Sequence, residues 1–323
     1  MQIGRRTFLA AALAASLALA GSAAWAQAPK EIRLDYATYN PVSLVLKERG
    51  LLEKALAPDG IGVRWVQSLG SNKALEFLNA GSIDFGSTAG AAALIGRVGG
   101  NPIKAIYVFS RPEWTALVSR KDAGIARVAD LKGKRVAVTR GTDPHIFLVR
   151  ALRDAGLSER DVKLVLLQHP DGRTALARGD VDAWAGLDPI MAAAEIEDGA
   201  VLFHRDAAAN TWGVLDVREE FAREHPALVG RVLAAYEEAR RWSLENPDAL
   251  KRILVAATKL PEPVVARQLE RTDLTHSAIG QAQADTILSA GLALKEAGVF
   301  AADTDVRAAV DGLIERRFST AAR

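Results

Sequence analysis

The chain of 323 residues carries 41 lysines and arginines against 39 acidic residues, and it contains no cysteine. The lack of cysteine excludes disulfides, thiolate-ligated metals, thiol nucleophiles and a cysteine-linked lipid anchor. The balanced charge gives no electrostatic footprint for a nucleic acid, and the length predicts about two domains at roughly 150 residues each.

Residues 1–26 have the pattern of a secretory signal peptide, so we expect the mature chain to begin at Gln27. The apolar run at Phe8–Ala20 is shorter than the ~20 residues that span a bilayer, and small residues at Ala24–Ala26 provide an A-x-A cleavage site. Arg5-Arg6 resembles a twin-arginine export signal, with an ordinary secretory signal as the alternative. The sequence therefore predicts a freely diffusing periplasmic protein without a lipid anchor or a later membrane span.

Two similar series of strand and helix patterns follow. The first predicts strands at Ile32–Tyr36, Gly62–Gln67, Ile83–Gly86, Ile103–Phe109 and Thr115–Ser119, with helices opened by Asn40-Pro41, Ser71-Asn72 and Ser87-Thr88. The second predicts strands at Arg135–Thr139, Val162–Gln168 and Val181–Ala185, with helices from Asp143-Pro144, over Gly172–Arg178 and from Asp188-Pro189. The remainder, from about Glu219, has mostly helical patterns, including Ala282–Ala297.

The series share a short repeat, since Leu78–Asp84 matches Leu176–Asp182 at a constant offset of 98 positions. Alternation of strand and helix predicts parallel sheets with right-handed crossovers. We therefore predict an α/β protein with two lobes joined by two hinge crossings. The predicted boundaries are residues 27–118 plus 214–323 for lobe I and 119–213 for lobe II, with crossings near Ser119–Asp122 and Asn210–Val214.

Three predicted helix starts are candidates for a ligand site, because ligands of open parallel sheets bind beyond the carboxyl ends of the strands. These starts are Thr38–Ser43, Gly86–Gly90 and Arg140–His145, where free backbone N–H groups attract anions. In the alternative interpretation, the hydroxyl residues, Asp143 and Asp188 are only helix caps and His145 is structural. The three tryptophans near the cleft are either core residues or a flat wall for an alkyl chain: Trp114, Trp184 and Trp212.

Signatures of enzymes and of metal sites are missing. The sequence has no Walker loop, no H-E-x-x-H and no G-x-S-x-G motif, and its five histidines are scattered. We therefore expect neither catalysis nor a cofactor or metal.

Several motifs resemble the aliphatic-sulfonate-binding proteins of ABC importers, over essentially the whole mature chain. They are Gly70–Glu76, Gly81–Thr88, Val128–Ala137 and Val181–Trp184 with Asp188-Pro189. The resemblance implies a hinged, two-lobed periplasmic binding protein that is a monomer. Such a protein captures a small anionic or zwitterionic solute and delivers it to an ABC permease at the inner membrane. Related proteins take taurine, nitrate, bicarbonate or thiamine-pyrimidine precursors, and these ligands, or an enzyme of the same fold, remain alternatives.

The resemblance and the helix starts together imply a set of ligand-binding residues. Leu187 and Ala89 depart from the family's aromatic residue and glycine, which leaves the identity of the ligand open. Glu113 is a further candidate, because its carboxylate would pair with the cationic group of a zwitterion such as taurine; Trp114 and Trp212 are candidates for the cleft wall. The main set comprises Asn40, Ser43, Ser87, Thr88, Arg140, Gly141, Thr142, His145, Trp184 and Asp188.

Overall fold

The computed structural model describes residues 29–318, and every structural statement below concerns that part of the chain. The predicted signal peptide at residues 1–26, its paired arginines and its cleavage site lie outside the described residues. Within residues 29–318, none of the helices combines the length and the apolar character needed to cross a bilayer.

Strands and helices alternate over the first two thirds of the chain, and helices dominate the last third. The strands are β1 (Glu31–Tyr36), β2 (Gly62–Gln67), β3 (Phe85–Ala89), β4 (Ile103–Pro112), β5 (Leu117–Ser119), β6 (Arg135–Val138), β7 (Lys163–Leu166), β8 (Ala183–Ala185), β9 (Val201–His204), β10 (Gly213–Arg218) and β11 (Thr272–Asp273). The helices are α1 (Pro41–Glu48), α2 (Leu51–Leu56), α3 (Ser71–Asn79), α4 (Gly90–Val98), α5 (Asp143–Asp154), α6 (His169–Arg178), α7 (Ile190–Glu197), α8 (Glu219–Glu224), α9 (Pro226–Glu245), α10 (Pro247–Thr258), α11 (Glu262–Glu270), α12 (Gln281–Glu296) and α13 (Val306–Leu313).

The strands form two mixed sheets. The first has the order β11-β4-β10-β3-β1-β2, and the second has the order β7-β6-β8-β5-β9. In each sheet three strands run parallel, as predicted: β2, β1 and β3 in the first, and β7, β6 and β8 in the second. The other pairings are antiparallel, because β10 returns between β3 and β4, and β5 pairs with β8 and β9.

The chain passes between the sheets twice. It leaves the first sheet after Pro112 and enters the second at Leu117, and it returns between His204 and Gly213. We call the parts built on the first and second sheets lobe I and lobe II. Because β5 belongs to the second sheet, the first crossing precedes the predicted position at Ser119–Asp122. The return ends at the start of β10, inside the predicted range Asn210–Val214.

The short sequence repeat corresponds to the same contact in both lobes. Arg33 on β1 binds the carboxylate of Asp84 at 2.6 Å and the carbonyl of Gly81 at 2.6 Å. Arg135 on β6 likewise binds Asp182 at 3.0 Å and the carbonyl of the glycine that ends α6. In each lobe the helix that precedes a central strand is thereby tied to the strand beside it, which supports an internal duplication of the fold unit.

Helix α5 packs against both lobes. Phe147, Leu148 and Leu152 belong to the apolar core of lobe II. Ile146 and Val149, on the other face of the helix, are buried in the large core cluster of lobe I. The second lobe therefore meets the first through an apolar helix face as well as through the two connecting segments.

Candidate functional site

The carboxyl ends of the parallel strands in the two lobes meet at a boundary that we call the interlobe cleft. A Cβ placed on Gly70, just before α3 of lobe I, would lie 3.2 Å from Nε2 of His169 at the start of α6 in lobe II. A Cβ on Gly141, just before α5, would lie 3.9 Å from the Cβ of Asn72. The edges that the topology rule assigns to ligand binding therefore lie against one another.

On the lobe I side, a fully buried hydrogen-bond network surrounds Asp35 at the end of β1. Its carboxylate accepts from the Ser87 hydroxyl at 2.8 Å, from the Ser87 amide at 2.9 Å and from the Ser68 hydroxyl. Asn40 donates to the Ser87 oxygen at 2.8 Å, and Ser43 donates to the Asn40 carbonyl at 2.7 Å. Burial raises the pKa of Asp35 to about 6, although these hydrogen bonds oppose the shift.

The Thr88 hydroxyl is also hydrogen-bonded within the protein, to Asp216 on the neighbouring strand β10. Its hydroxyl donates to Asp216 Oδ2 at 2.6 Å, and both side chains are fully buried. Burial raises the pKa of Asp216 well above its usual range, and its Oδ1 has no hydrogen-bond partner. The prediction that Ser87-Thr88 opens a helix is wrong, because both residues lie inside β3 and α4 begins at Gly90. Their hydroxyl protons are therefore donated inside the protein, beneath the cleft.

The connecting segments hold the start of α5 through Asp143. This buried carboxylate accepts from Trp114 Nε1 at 2.8 Å, and from the amide and hydroxyl of Thr211 at 3.0 and 2.7 Å. Thr142 occupies the N-cap position, so the interpretation of Asp143 as the cap is wrong. The Trp114 ring packs edge-on against Tyr39 at 5.9 Å. The helix end predicted to attract an anion thus already carries a carboxylate of the chain, whose pKa burial raises.

The other candidates in the loop before α5 differ in their exposure. Arg140 is exposed and only loosely paired with Glu159, at 3.8 Å. Thr142 is buried and donates to the Thr139 carbonyl at 2.6 Å. His145 is buried, and its Nε2 lies 2.9 Å from Glu159, whose pKa the contact lowers. His145 therefore has the internal partner that the structural interpretation required, whereas Arg140 has a side chain free to reach a ligand.

Asp188 is held by lobe I. Its carboxylate lies 3.3 Å from the Arg271 guanidinium and accepts from the Ala192 amide at 2.9 Å. Pro189 occupies the N-cap position of α7, but the Asp188 carboxylate satisfies the amide of Ala192 in the first turn, so Asp188 does serve as a cap of this helix. Burial raises the pKa of Asp188 to about 7, opposed by Arg271. This ion pair joins the two lobes at one side of the cleft.

Three further candidates have partners within the protein. Trp184 lies in the core of lobe II, where a Cβ on Gly172 would meet its indole nitrogen at 2.6 Å, so it does not form a cleft wall. Glu113 is paired with Arg205 at 2.7 Å. Trp212 is almost buried, and its indole N–H donates to Thr286 at 3.3 Å. Among residues 29–318, no three His, Cys, Asp or Glu side chains come together as a metal site.

Two helix starts that face the cleft were missed as candidates. The N-cap residues of α3 and α6, Gly70 and Gln168, provide no side-chain cap to their helices. Ser71, the first residue of α3, accepts from the Ala89 amide at 3.0 Å, and within the described range its own hydroxyl donates to nothing. The signal that identifies both helix starts is their position after the parallel strands β2 and β7, at the sheet edges where ligands of such sheets bind.

Comparisons with known proteins agree with this architecture. The model of a family described as NMT1/THI5 like matches residues 47–250. An aliphatic sulfonates-binding protein of Escherichia coli K12 is 31% identical over 268 residues, which cover 82% of this chain and 83% of that protein. The alkanesulfonate-binding protein SsuA from Xanthomonas axonopodis pv. citri, solved bound to MOPS, is 25% identical with a TM-score of 0.81, over 89% of this chain and 99% of that one. The periplasmic aliphatic sulphonate binding protein SsuA from E. coli is 28% identical with a TM-score of 0.74, over 86% and 91%.

Proposed function

Because the chain belongs to the NMT1/THI5-like family, we propose that it is the periplasmic solute-binding component of an ABC importer. It captures an aliphatic sulfonate between its lobes and delivers it to a permease at the inner membrane. The observation that carries the proposal is the pair of uncapped helix starts, α3 and α6, which meet across the interlobe cleft. The partial positive charge of such helix ends favours an anionic head group.

The anionic head group binds at the start of α3 in lobe I, and residues of lobe II cover it when the lobes close. Ser71 supplies a free hydroxyl proton beside the helix amides. Arg140 supplies an exposed guanidinium, and Gly141 lies next to α3 without a side chain that would fill the space. Among the candidates named from the sequence, Arg140 and Gly141 are therefore the ones that we retain as ligand contacts.

The other sequence candidates shape the site from beneath or beside it. The hydrogen bonds of Ser87, Thr88, Asn40 and Ser43 end on protein atoms, so these side chains hold the carboxyl edge of the first sheet in place. Glu113 is neutralised by Arg205 and is not proposed as the partner of a cationic ligand group.

Ligand binding closes the lobes by a shift of populations. A solute that contacts both edges makes its full set of contacts only in the closed form and so favours that form. The permease then recognises the closed form of the binding protein. A freely diffusing monomer in the periplasm is sufficient for this role.

A thermal-shift panel on the mature chain, residues 27–323, tests the substrate class. It contains alkanesulfonates of two to eight carbons, taurine, nitrate, sulfate and a hydroxymethylpyrimidine. A ligand at about 100 times its Kd stabilises the protein by about 2.7 kcal/mol. We expect stabilisation by the sulfonates. A shift with nitrate or the pyrimidine, and none with any sulfonate, would keep the fold and remove the proposed substrate.

A pair of serine variants tests the position of the head group. Ser71→Ala removes the hydroxyl proton and should abolish most of the sulfonate-induced shift. Because it also removes the acceptor of the Ala89 amide, it should lower the melting temperature of the free protein as well. Ser119→Ala is the control for loss of a buried serine hydroxyl away from the proposed site, because Ser119 is buried in lobe II and its hydroxyl has no partner. The ligand-induced shift of each variant is measured against its own ligand-free melting temperature. Equal ligand affinity in both variants would contradict the assignment. The bound sulfonate should be recovered intact, since release of sulfite would indicate an enzyme.

A further inference from the structure

Two further helices, α7 of lobe II and α11 of lobe I, pack against each other across the lobe boundary. Ala192 and Ala193 on α7 and Val264 on α11 are fully buried and form a small apolar cluster of their own. Because this cluster combines side chains of both lobes, it exists only while the lobes are together.

Each of the two helices is fixed within its own lobe. On α7, Met191 and Ala194 belong to an apolar core cluster of lobe II. On α11, Val265 belongs to the core of lobe I, and the Gln268 side chain donates to the Thr38 carbonyl at 2.6 Å. Neither helix can follow the opposite lobe without leaving its own core. The contact between α7 and α11 must therefore break or slide when the lobes separate.

Ion pairs accompany this apolar contact. Glu195 on α7 lies 2.6 Å from the Arg267 guanidinium of α11, and its other carboxylate oxygen binds Arg271 at the end of that helix. Arg271 also binds Asp188 of lobe II at 3.3 Å, and these two side chains are only 5% and 2% exposed. Salt and water screen so deeply buried a pair much less than a pair at the surface. We call these four charged residues the interlobe latch: Asp188, Glu195, Arg267 and Arg271.

We propose that the interlobe latch holds part of the ligand-free protein in the closed arrangement, in which the edges of the cleft are in contact. Both carboxylates come from lobe II and both guanidinium groups from lobe I, so the latch closes with groups of the chain alone. An interaction that is present in only one of two states shifts the population toward that state. Apparent affinity falls in proportion to the population of the binding-competent form. The latch therefore raises affinity for whichever solute the cleft binds, which goes beyond the proposed function.

The distance between the lobes of the free protein tests the latch. The chain has no cysteine, so Asn79→Cys and Ala177→Cys provide the only two positions for spin labels. Both positions are exposed, in the last turns of α3 in lobe I and α6 in lobe II. Since these helices meet at their starts, separation of the lobes changes the distance between their far ends. Double electron–electron resonance then measures the closed and open populations without any ligand.

We expect the latch to give a ligand-free population at the distance of the closed arrangement. Glu195→Gln should lower the ratio of closed to open protein about tenfold, which corresponds to about 1.4 kcal/mol. Glu197→Gln is the matched control, because Glu197 lies on the same helix and pairs at 2.7 Å with Arg173 of its own lobe. The control should retain the wild-type ratio.

Three results would overturn the latch. They are a ligand-free wild type with only the open distance, a wild-type ratio in Glu195→Gln, and an equal loss of the closed form in the Glu197→Gln control. Arg267→Gln covers the case in which Glu195→Gln does not fold, because it removes one partner of Glu195 from a partly exposed position. It should lower the closed population by a smaller factor, and an unchanged population would refute the proposal.

The proposed function does not depend on this outcome, because the spin labels report on the lobes without a solute. Refutation of the latch leaves the sulfonate-binding proposal standing. Failure of every sulfonate to stabilise the protein in the thermal-shift panel removes that proposal and leaves the latch to be judged by the measured distances.

Discussion

Replacing Thr88 by valine should destabilise the protein through a single buried hydrogen bond. The change keeps the shape of the side chain and removes the hydroxyl that donates to Asp216 at 2.6 Å. Both residues are fully buried, so no water replaces the lost donor. Because the other oxygen of Asp216 has no partner either, the variant leaves a buried carboxyl group without a hydrogen bond.

The expected magnitude follows from the acceptor. Removing the donor from a buried acceptor and leaving that acceptor unsatisfied costs about 1–3 kcal/mol. Since neither oxygen of Asp216 then has a partner, we expect Thr88→Val to lower the free energy of unfolding by about 2–3 kcal/mol. The side chain makes no contact that requires the ligand, so the folded variant should bind the ligand as the wild type does.

Urea unfolding of the free protein measures this loss, with Thr115→Val as the matched control. Thr115 is also fully buried, and its hydroxyl donates at 2.7 Å to a neutral acceptor, the carbonyl of Gly186. The control should lose only about 1 kcal/mol. Equal losses of unfolding free energy in the two variants would show that the unpartnered carboxyl group of Asp216 adds nothing to the cost of losing the Thr88 hydrogen bond. An unchanged urea midpoint for Thr88→Val would refute the hydrogen bond itself.

Two further substitutions test the buried groups elsewhere in the lobes. The pKa of Asp35 is about 6 in the folded state against ~3.9 unfolded, so the folded state binds the extra proton and stability falls as the pH rises through this range, by about 3 kcal/mol. Urea unfolding at pH 4 and pH 7.5 should show a smaller fall for Asp35→Asn than for the wild type, and parallel pH profiles would contradict the raised pKa. Gly172→Ala places a methyl group 2.6 Å from the indole nitrogen of Trp184 and should cost about 1–3 kcal/mol. The control Gly230→Ala, in α9 with nothing within 4 Å, should be neutral or stabilising in the same thermal unfolding assay, and the reasoning fails if both variants behave alike.

Local sequence patterns predicted strands β1 to β8 but missed β9, β10 and β11, and they placed two site candidates in the wrong element. The strand Gly62–Gln67 was predicted to the residue, because its boundaries are set by neighbouring glycine and serine residues. Ser87 and Thr88 were assigned to a helix start because hydroxyl residues favour N-caps. Their hydroxyls instead bond to Asp35 and Asp216, which are 52 and 128 positions away in sequence. A sequence pattern that spans a few residues cannot indicate hydrogen-bond partners so far away along the chain.

The start of α6 was predicted wrongly for a different reason. The helix was expected to start at Gly172, yet α6 begins at His169, with Pro170 in its first turn. Proline in the first turn is a helix-start signal, and the same signal at Asn40-Pro41 correctly predicts the start of α1. The start of α6 was therefore predictable from the sequence. That the first residue of α6 meets Gly70 of the other lobe was not, because this contact depends on how the lobes pack.

The position of β10 sets an order on the assembly of the two lobes during synthesis. This strand lies between β3 and β4 in the first sheet, although it follows β4 by about a hundred residues and comes after the whole second sheet. A ribosome therefore releases every strand of lobe II before the strand that joins the two halves of lobe I. Closing so long a loop is slow relative to pairing nearby strands. The second sheet is thus built from one continuous segment of chain, whereas the first sheet is complete only after the segment that follows lobe II has joined it.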